Sequence, residues 1–207
     1  MNKEFTKRII SSIILIPISL FIIIKGSFFF NFFILVCFLI TAYEWHMMTK
    51  NKSFNIPGFI FLIISFYFIF LLRNNFTDDY FVFLMVTLIC VSTDIGGYMF
   101  GKIFKGPKLT KISPNKTYSG MLGSFLFSLI FGYLFFYYQQ KFLELNINVL
   151  LFIIIVSFIS QIGDLMISFF KRKAKIKDTG SILPGHGGIL DRIDGMLLAL
   201  PIGLIFI

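Results

Sequence analysis

The chain has 207 residues, of which 57% are hydrophobic and 14% are charged, and its formal net charge is +9. A soluble domain of this size would need far more polar surface, so the composition excludes a soluble protein and indicates an all-α, polytopic integral membrane protein. The length leaves room for one membrane-embedded domain over 1–207, with N-terminal spans in 1–79 and the candidate catalytic spans and loops in 80–207.

Seven apolar stretches predict seven transmembrane helices in one bundle. In chain order they cover residues 9–24, 28–43, 56–72, 80–100, 121–138, 147–170 and 189–207. The last four fit the range of about 17–25 residues that a membrane-crossing helix needs. The first two are shorter and share the tight link Lys25-Gly26-Ser27, so a shallow hairpin is an alternative for them.

Basic residues are divided unequally between the two sets of loops that this topology creates. Fifteen of the 19 lysines and arginines fall in segments 1–8, 44–55, 101–118 and 171–188, and three fall on the opposite side. Because cytoplasmic loops carry the excess of basic residues, the N-terminus is predicted to be cytoplasmic. The positive charge then has two interpretations, attraction to anionic lipid or binding of phosphates, and neither requires nucleic acid.

Two acids fall inside predicted spans, where a charge costs about 2.5–3.5 kcal/mol on insertion scales and commonly has a function. Asp94 lies in VSTDIGGYMFGK, where Gly96 and Gly97 would admit a neighbouring backbone or a ligand; the acid either lines a site or pairs with a lysine. Asp164 begins a stripe with Ser168 and Lys171, at i, i+4 and i+7, that leads toward a basic loop.

The segment GKIFKGPKLTKISPNKTYSG, residues 101–120, contains five lysines and no acid. Lysine charges, together with the hydroxyls of Ser113 and Thr117, are donors that suit a phosphate group. The segment lacks the pattern GxxxxGK[ST] and is therefore not a P-loop. Composition alone leaves two interpretations open, a phosphate-binding loop and a topology signal.

The stretch LPGHGGILDRIDG, residues 183–195, places several polar and flexible residues where the chain re-enters an apolar run. Gly185, Gly187 and Gly188 allow a tight turn with exposed backbone N–H groups. Asp191 and Asp194 share one face at i, i+3. Near a further acid and a basic loop they favour a divalent metal over phosphates, although acids in a first helical turn also interact with the helix dipole.

Residues 168–194 resemble the signature of the phosphatidate cytidylyltransferases, also called CDP-diacylglycerol synthases. The family pattern S-x-x-K-R-x4-K-D-x-G-x2-L-P-G-H-G-G-x2-D-R-x-D is met at every fixed position over these 27 residues. Two earlier segments, 94–102 and 113–120, are similar to family motifs with departures, including Ser119 where the family has glutamate. The region between about 43 and 80 is shorter than is usual in the family.

The resemblance implies an enzyme that converts CTP and phosphatidate into CDP-diacylglycerol and pyrophosphate. It implies Mg²⁺ as the cofactor and leaves open a second, monovalent or divalent cation. The site residues that follow from it and from the residue chemistry fall into three groups. The expected catalytic residues are Asp164, Asp191, Lys116 and Arg192. The expected metal ligands are Asp164, Asp191 and Asp194. The expected substrate-binding residues are Lys171, Arg172, Lys177, Ser113, Thr117, Gly185, His186, Gly187, Gly188 and Asp94.

The same resemblance implies a multi-pass protein of the bacterial inner membrane whose active site faces the cytoplasm. CTP would enter from that side and the lipid from within the bilayer, and a homodimer is left open. Two alternatives remain: a CTP-dependent polyprenol or phytol kinase, and an ion-coupled transporter. A transporter would show internal symmetry and helices broken near mid-bilayer, and the sequence displays neither.

Overall fold

The computed structural model describes residues 3–74, 80–110, 112–139, 148–182 and 187–204, with side chains from residue 13 onward. These residues form eight helices: α1 Lys3–Lys25, α2 Ser27–Thr49, α3 Asn55–Asn74, α4 Tyr80–Phe104, α5 Tyr118–Gln139, α6 Val149–Lys173, α7 Leu190–Ile193 and α8 Met196–Gly203. Extended pairing within the described ranges is limited to a bridge between Lys108 and Thr117. The prediction of an all-α protein is confirmed for this part of the chain.

Five of the helices, α2 to α6, are long and apolar enough to cross a membrane. Each overlaps one of the predicted apolar stretches and carries exposed apolar side chains, such as Phe32 on α2 and Leu126 on α5. Such side chains suit a surface in contact with lipid. A multi-pass membrane protein is therefore supported, while the count of seven spans and the orientation stay predictions.

The single helix predicted over 189–207 is corrected by the structure to two shorter helices, α7 and α8. The backbone keeps helical torsion angles between them, with φ −54° and ψ −44° at Asp194 and φ −68° and ψ −37° at Gly195. A side chain at Gly195 would meet Ser160, since its Cβ would lie 2.6 Å from the Ser160 hydroxyl oxygen. Within α8, Pro201 has no backbone N–H to donate to the helix.

The chain divides into two compact units, one formed by residues 1–80 and 170–194, the other by 81–169 and 195–207. In the first unit Trp45 of α2 is almost fully buried, and its indole N–H donates to the carbonyl of Asn55 at 3.0 Å. Its ring contacts Phe170, and Gly58 must lack a side chain because a Cβ there would lie 1.9 Å from the indole. Close packing thus joins α2, the start of α3 and the residue at 170.

Arg73 closes the turn between α1 and α2 in the same unit. At the C-terminal end of α1, its Nε donates to the carbonyl of Ile23 at 2.9 Å and its Nη2 donates to the carbonyl of Ile24 at 3.3 Å. Gly26 has φ +65°, a region that favours glycine, and a Cβ there would lie 2.3 Å from Nη2. The short link between the first two helices is therefore held by an arginine from the third.

In the second unit α4 and α5 approach each other through glycines. A Cβ on Gly96 would lie 2.3 Å from the Gly123 carbonyl oxygen, and one on Gly120 would lie 2.8 Å from that of Gly97. The glycines after Asp94 therefore admit a neighbouring backbone, one of the two predicted alternatives. The Thr93 and Ser157 hydroxyls, 2.8 Å apart, join α4 to α6.

Candidate active site

The loop between α4 and α5 folds back on itself and thereby fixes the backbone on both sides of Lys116. Leu109 N–H donates to the Lys116 carbonyl at 2.8 Å, and Tyr118 N–H donates to the Pro107 carbonyl at 3.1 Å. Lys116 N–H donates in turn to the Ser113 carbonyl at 3.0 Å. This local pairing sets the direction in which the Lys116 side chain leaves the loop.

Lys116 and Asp164 form an ion pair between Nζ and Oδ2. Ser168, one helical turn further along α6, donates its hydroxyl to the other carboxylate oxygen of Asp164 at 3.3 Å. The two charged side chains are 26% and 27% exposed. The sequence singles out both residues, and the structure brings them together in what we call the Lys116–Asp164 pair.

Asp191 lies at the centre of a second group, within the first unit, which also contains the predicted residues Lys171 and Gly188. Its Oδ1 accepts from Lys171 Nζ at 2.8 Å. Its Oδ2 accepts from Thr179 N–H at 2.8 Å, the Thr179 hydroxyl at 3.0 Å and Gly188 N–H at 3.2 Å. We call Lys171, Thr179, Gly188 and Asp191 the Asp191 cluster; all four belong to the signature segment of the chain.

The electrostatics of the Asp191 cluster favour the charged form of the acid. Asp191 lies on α7, which is outside the five helices long enough to cross a membrane. Burial acts to raise the pKa of Asp191, but the hydrogen bonds from Lys171 and Thr179 outweigh it and leave the pKa below its ordinary value. Asp191 is thus an anion held by a lysine and by backbone N–H groups.

Glu44 is a functional candidate that the sequence analysis missed. Its side chain is only 2% exposed, and it accepts from Ile189 N–H at 3.0 Å and Leu190 N–H at 2.8 Å. The predicted span ends at residue 43, which assigned Glu44 to a loop, whereas α2 continues to Thr49. The sequence signal that could have identified it is an acid one residue beyond an apolar run. A short extension of the helix brings such an acid into the protein interior.

The remaining predicted residues lie in varied settings. Asp94, Arg192, Arg172 and Lys177 are exposed, and Asp194 is buried. Thr117 accepts Gly120 N–H at 3.1 Å at the start of α5, a local capping role. Gly187 has φ +87°, as expected of a glycine in a turn, and Gly185 and His186 lie outside the described residues.

Magnesium would need oxygen ligands from the aspartates of these two groups. Within the described ranges no group of three or more His, Cys, Asp or Glu side chains could hold a metal ion. Mg²⁺ characteristically uses one or two carboxylates and completes its shell with phosphate oxygens and water. Each of these aspartates could therefore supply a carboxylate to a magnesium ion that arrives with a phosphate.

Comparison of the sequence with known proteins identifies a family. A sequence model described as the cytidylyltransferase family matches residues 6–74 and 58–207. A phosphatidate cytidylyltransferase of Rickettsia typhi is 34% identical over 203 residues, which cover 94% of this chain and 88% of that protein. A phosphatidate cytidylyltransferase of Staphylococcus haemolyticus is 36% identical over 179 residues, which cover 82% of this chain and 65% of that protein. The chain therefore belongs to the cytidylyltransferase family.

Proposed function

We propose that this protein is a phosphatidate cytidylyltransferase, which transfers CMP from CTP to phosphatidate and forms CDP-diacylglycerol and pyrophosphate. Its relatives carry that name over nearly the whole chain. The observation that carries the proposal is the convergence of Lys171, Thr179 and Gly188 on the carboxylate of Asp191. The most specific part of the family signature thus forms one compact arrangement of charges.

Charge repulsion is the main obstacle to this reaction. A phosphate oxygen of phosphatidate attacks the α-phosphorus of CTP, pyrophosphate leaves, and both reactants are polyanions. Cations that neutralise and align them supply most of what catalysis requires, and no covalent nucleophile on the protein is needed. The signature and the lysine loop provide such cations, with Lys116, Lys171 and Arg192 as the proposed phosphate-binding residues.

Two of these lysines are engaged by aspartates in the structure, Lys116 by Asp164 and Lys171 by Asp191. Phosphate binding at either lysine therefore competes with an ion pair inside the protein. Because the Lys116–Asp164 pair is about a quarter exposed, its lysine is the more accessible of the two. We assign Lys116 to the nucleotide phosphates, which come from water, and Lys171 to holding Asp191 in place as well as to binding phosphate.

Magnesium is the proposed cofactor, and Asp164, Asp191 and Asp194 are the candidate residues for binding it. A bound magnesium ion would withdraw negative charge from the CTP phosphates. The proposal includes the orientation expected from the loop charges, with CTP arriving from the cytoplasmic side of a bacterial inner membrane. A second cation and a homodimer remain open within it.

Product formation by purified protein tests the function. The protein would be incubated with CTP, phosphatidate and Mg²⁺ in mixed micelles, and the lipid fraction analysed by mass spectrometry for CDP-diacylglycerol. Excess chelator is expected to abolish the product and added Mg²⁺ to restore it. Absence of CDP-diacylglycerol under all these conditions, from protein that is monodisperse in detergent, would contradict the proposal.

A further inference from the structure

Glu44 connects α2 to the signature segment at several points. Its Oε1 accepts from Ile189 N–H and its Oε2 from Leu190 N–H, at the beginning of α7. Its Oε2 also lies 3.2 Å from the Thr179 hydroxyl. One acid in the N-terminal part of the chain thus contacts both ends of the loop that runs from 179 to 190.

Two signature glycines are explained by the position of this acid. A Cβ on Gly180 would lie 2.8 Å from Glu44 Oε1, and one on Gly188 would lie 2.6 Å from Oε2. Gly188 is also confined by the Thr179 hydroxyl, 2.2 Å from its ideal Cβ. Both glycines therefore permit the loop backbone to close around the carboxyl group of Glu44, a requirement that turn formation alone does not explain.

The Thr179 hydroxyl stands between two acids. It lies 3.2 Å from Glu44 Oε2 and 3.0 Å from Asp191 Oδ2. A hydroxyl has one proton and can donate to only one of these oxygens at a time. Thr179 and the backbone of residues 188–190 therefore connect Glu44 to Asp191.

We propose that Glu44 is a positioning residue for the transferase reaction, holding Thr179 and the start of α7 so that Asp191 stays directed at Lys171. The proposal rests on the proposed function, because Asp191 and Lys171 belong to its machinery. Glu44 itself need not touch either substrate. It instead contacts Thr179 and the start of α7, which hold Asp191. Loss of such a residue lowers activity by about 10- to 100-fold, as for residues that orient metal ligands.

Glu44→Gln is the most informative variant. Each carboxylate oxygen of Glu44 accepts a backbone N–H. A glutamine side chain has one oxygen and one NH₂ group, so in either orientation its NH₂ group would face one of these N–H donors. Activity is expected to fall about 10- to 100-fold, mainly in kcat, with little change in KM for CTP. Thr41→Val is the matched control, because Thr41 is equally buried on α2 and, within the described part of the chain, its hydroxyl bonds only to carbonyls of its own helix.

A double-mutant cycle tests whether Glu44 acts through the loop. Gly180→Ala should cost activity in the wild-type background, because the new methyl group meets Glu44. The same substitution should cost clearly less in Glu44→Ala, where that side chain is absent. Additive losses in the two backgrounds would overturn the coupling. Thr179→Ser, which keeps the hydroxyl, is expected to retain activity that Thr179→Val loses.

Hydrogen exchange provides a reading that does not depend on catalysis. In Glu44→Gln the amides of Ile189 and Leu190 should exchange on the order of tenfold faster than in wild type, and they should be unchanged in Thr41→Val. Unaltered exchange would overturn the proposal, as would faster exchange combined with wild-type kcat. If the wild-type protein itself makes no CDP-diacylglycerol, the proposed function fails and with it the link to catalysis, while exchange still reports whether Glu44 holds the loop.

Discussion

At the scale of single residues, two lysines offset two aspartates, and the two ion pairs differ in burial. The side chains of Lys116 and Asp164 are about a quarter exposed, whereas Lys171 and Asp191 are 11% and 5% exposed. Breaking an exposed pair changes stability little, but removing one partner of a buried pair leaves a charge without compensation. Equivalent substitutions at the two aspartates should therefore have different structural consequences.

Asp164→Asn and Asp191→Asn are both expected to abolish product formation. The first should leave the free energy of unfolding within about 1 kcal/mol of wild type. The second should lower it by about 3–5 kcal/mol, because Lys171 remains buried and three donors then face an amide. Thermal unfolding in detergent measures the difference. Full activity in Asp164→Asn, or equal stability losses in the two variants, would contradict the assignment.

Lys116→Met keeps the length of the side chain and removes its charge. The protein should insert and fold normally and lose about 100-fold or more in turnover, because a preorganised cation at the phosphates is lost. Lys108→Met is the matched control, since Lys108 is exposed in the same loop and belongs to neither charged cluster. Steady-state assays of both variants at equal membrane abundance give the comparison, and equal activity would reduce the loop to a topology signal.

At the scale of elements, helix positions follow from the apolar stretches, because lipid-facing and buried sides of a span are both hydrophobic. The ends were less predictable. α2 continues six residues beyond the predicted span, through Glu44 to Thr49, since the acid is satisfied by backbone N–H groups of α7. That compensation comes from residues about 145 positions away, and no local pattern contains it. Gly195, between α7 and α8, likewise approaches Ser160 of α6, a contact that no local pattern predicts.

The glycine contact between α4 and α5 gives a prediction for stability. In Gly123→Ala the new methyl group would lie 2.4 Å from Phe100 and 2.7 Å from the Gly96 carbonyl, so the helices must separate. The expected cost is about 1–3 kcal/mol. Gly132→Ala on the same helix is the control, because its nearest neighbours are side-chain carbons at 3.1–3.2 Å that can adjust. A melting temperature of Gly123→Ala equal to that of Gly132→Ala would argue against close contact.

At the scale of the whole molecule, charge asymmetry predicts how the chain crosses the membrane. A reporter active only outside the cytoplasm should be silent when fused at residue 110 or 180 and active at 76, at 143 or at the C-terminus. The C-terminal fusion is the most informative, because α8 has eight residues, about 12 Å of helix, against a hydrocarbon core of about 30 Å. Reporter activity at 110 would overturn the predicted orientation.

Much of the candidate site was predictable from the sequence, because its residues lie in a contiguous signature of charged groups and glycines. Asp191, Lys171 and Gly188 were singled out in advance, and the structure joins them. Lys116 and Asp164 were also singled out, but nothing in the sequence indicated that they pair, and Thr179 was not selected at all. Those contacts depend on how loop and helices pack, which composition and spacing do not determine.

The position of the transferred phosphorus tests the central claim most directly. Wild-type protein would be incubated with phosphatidate, Mg²⁺ and CTP labelled either at the α- or at the γ-phosphorus, and the lipid and aqueous phases counted separately. Nucleotidyl transfer predicts that the α-label enters the lipid and the γ-label is recovered as pyrophosphate. Recovery of the γ-label in the lipid, with the α-label in CDP, would identify a kinase and contradict the account.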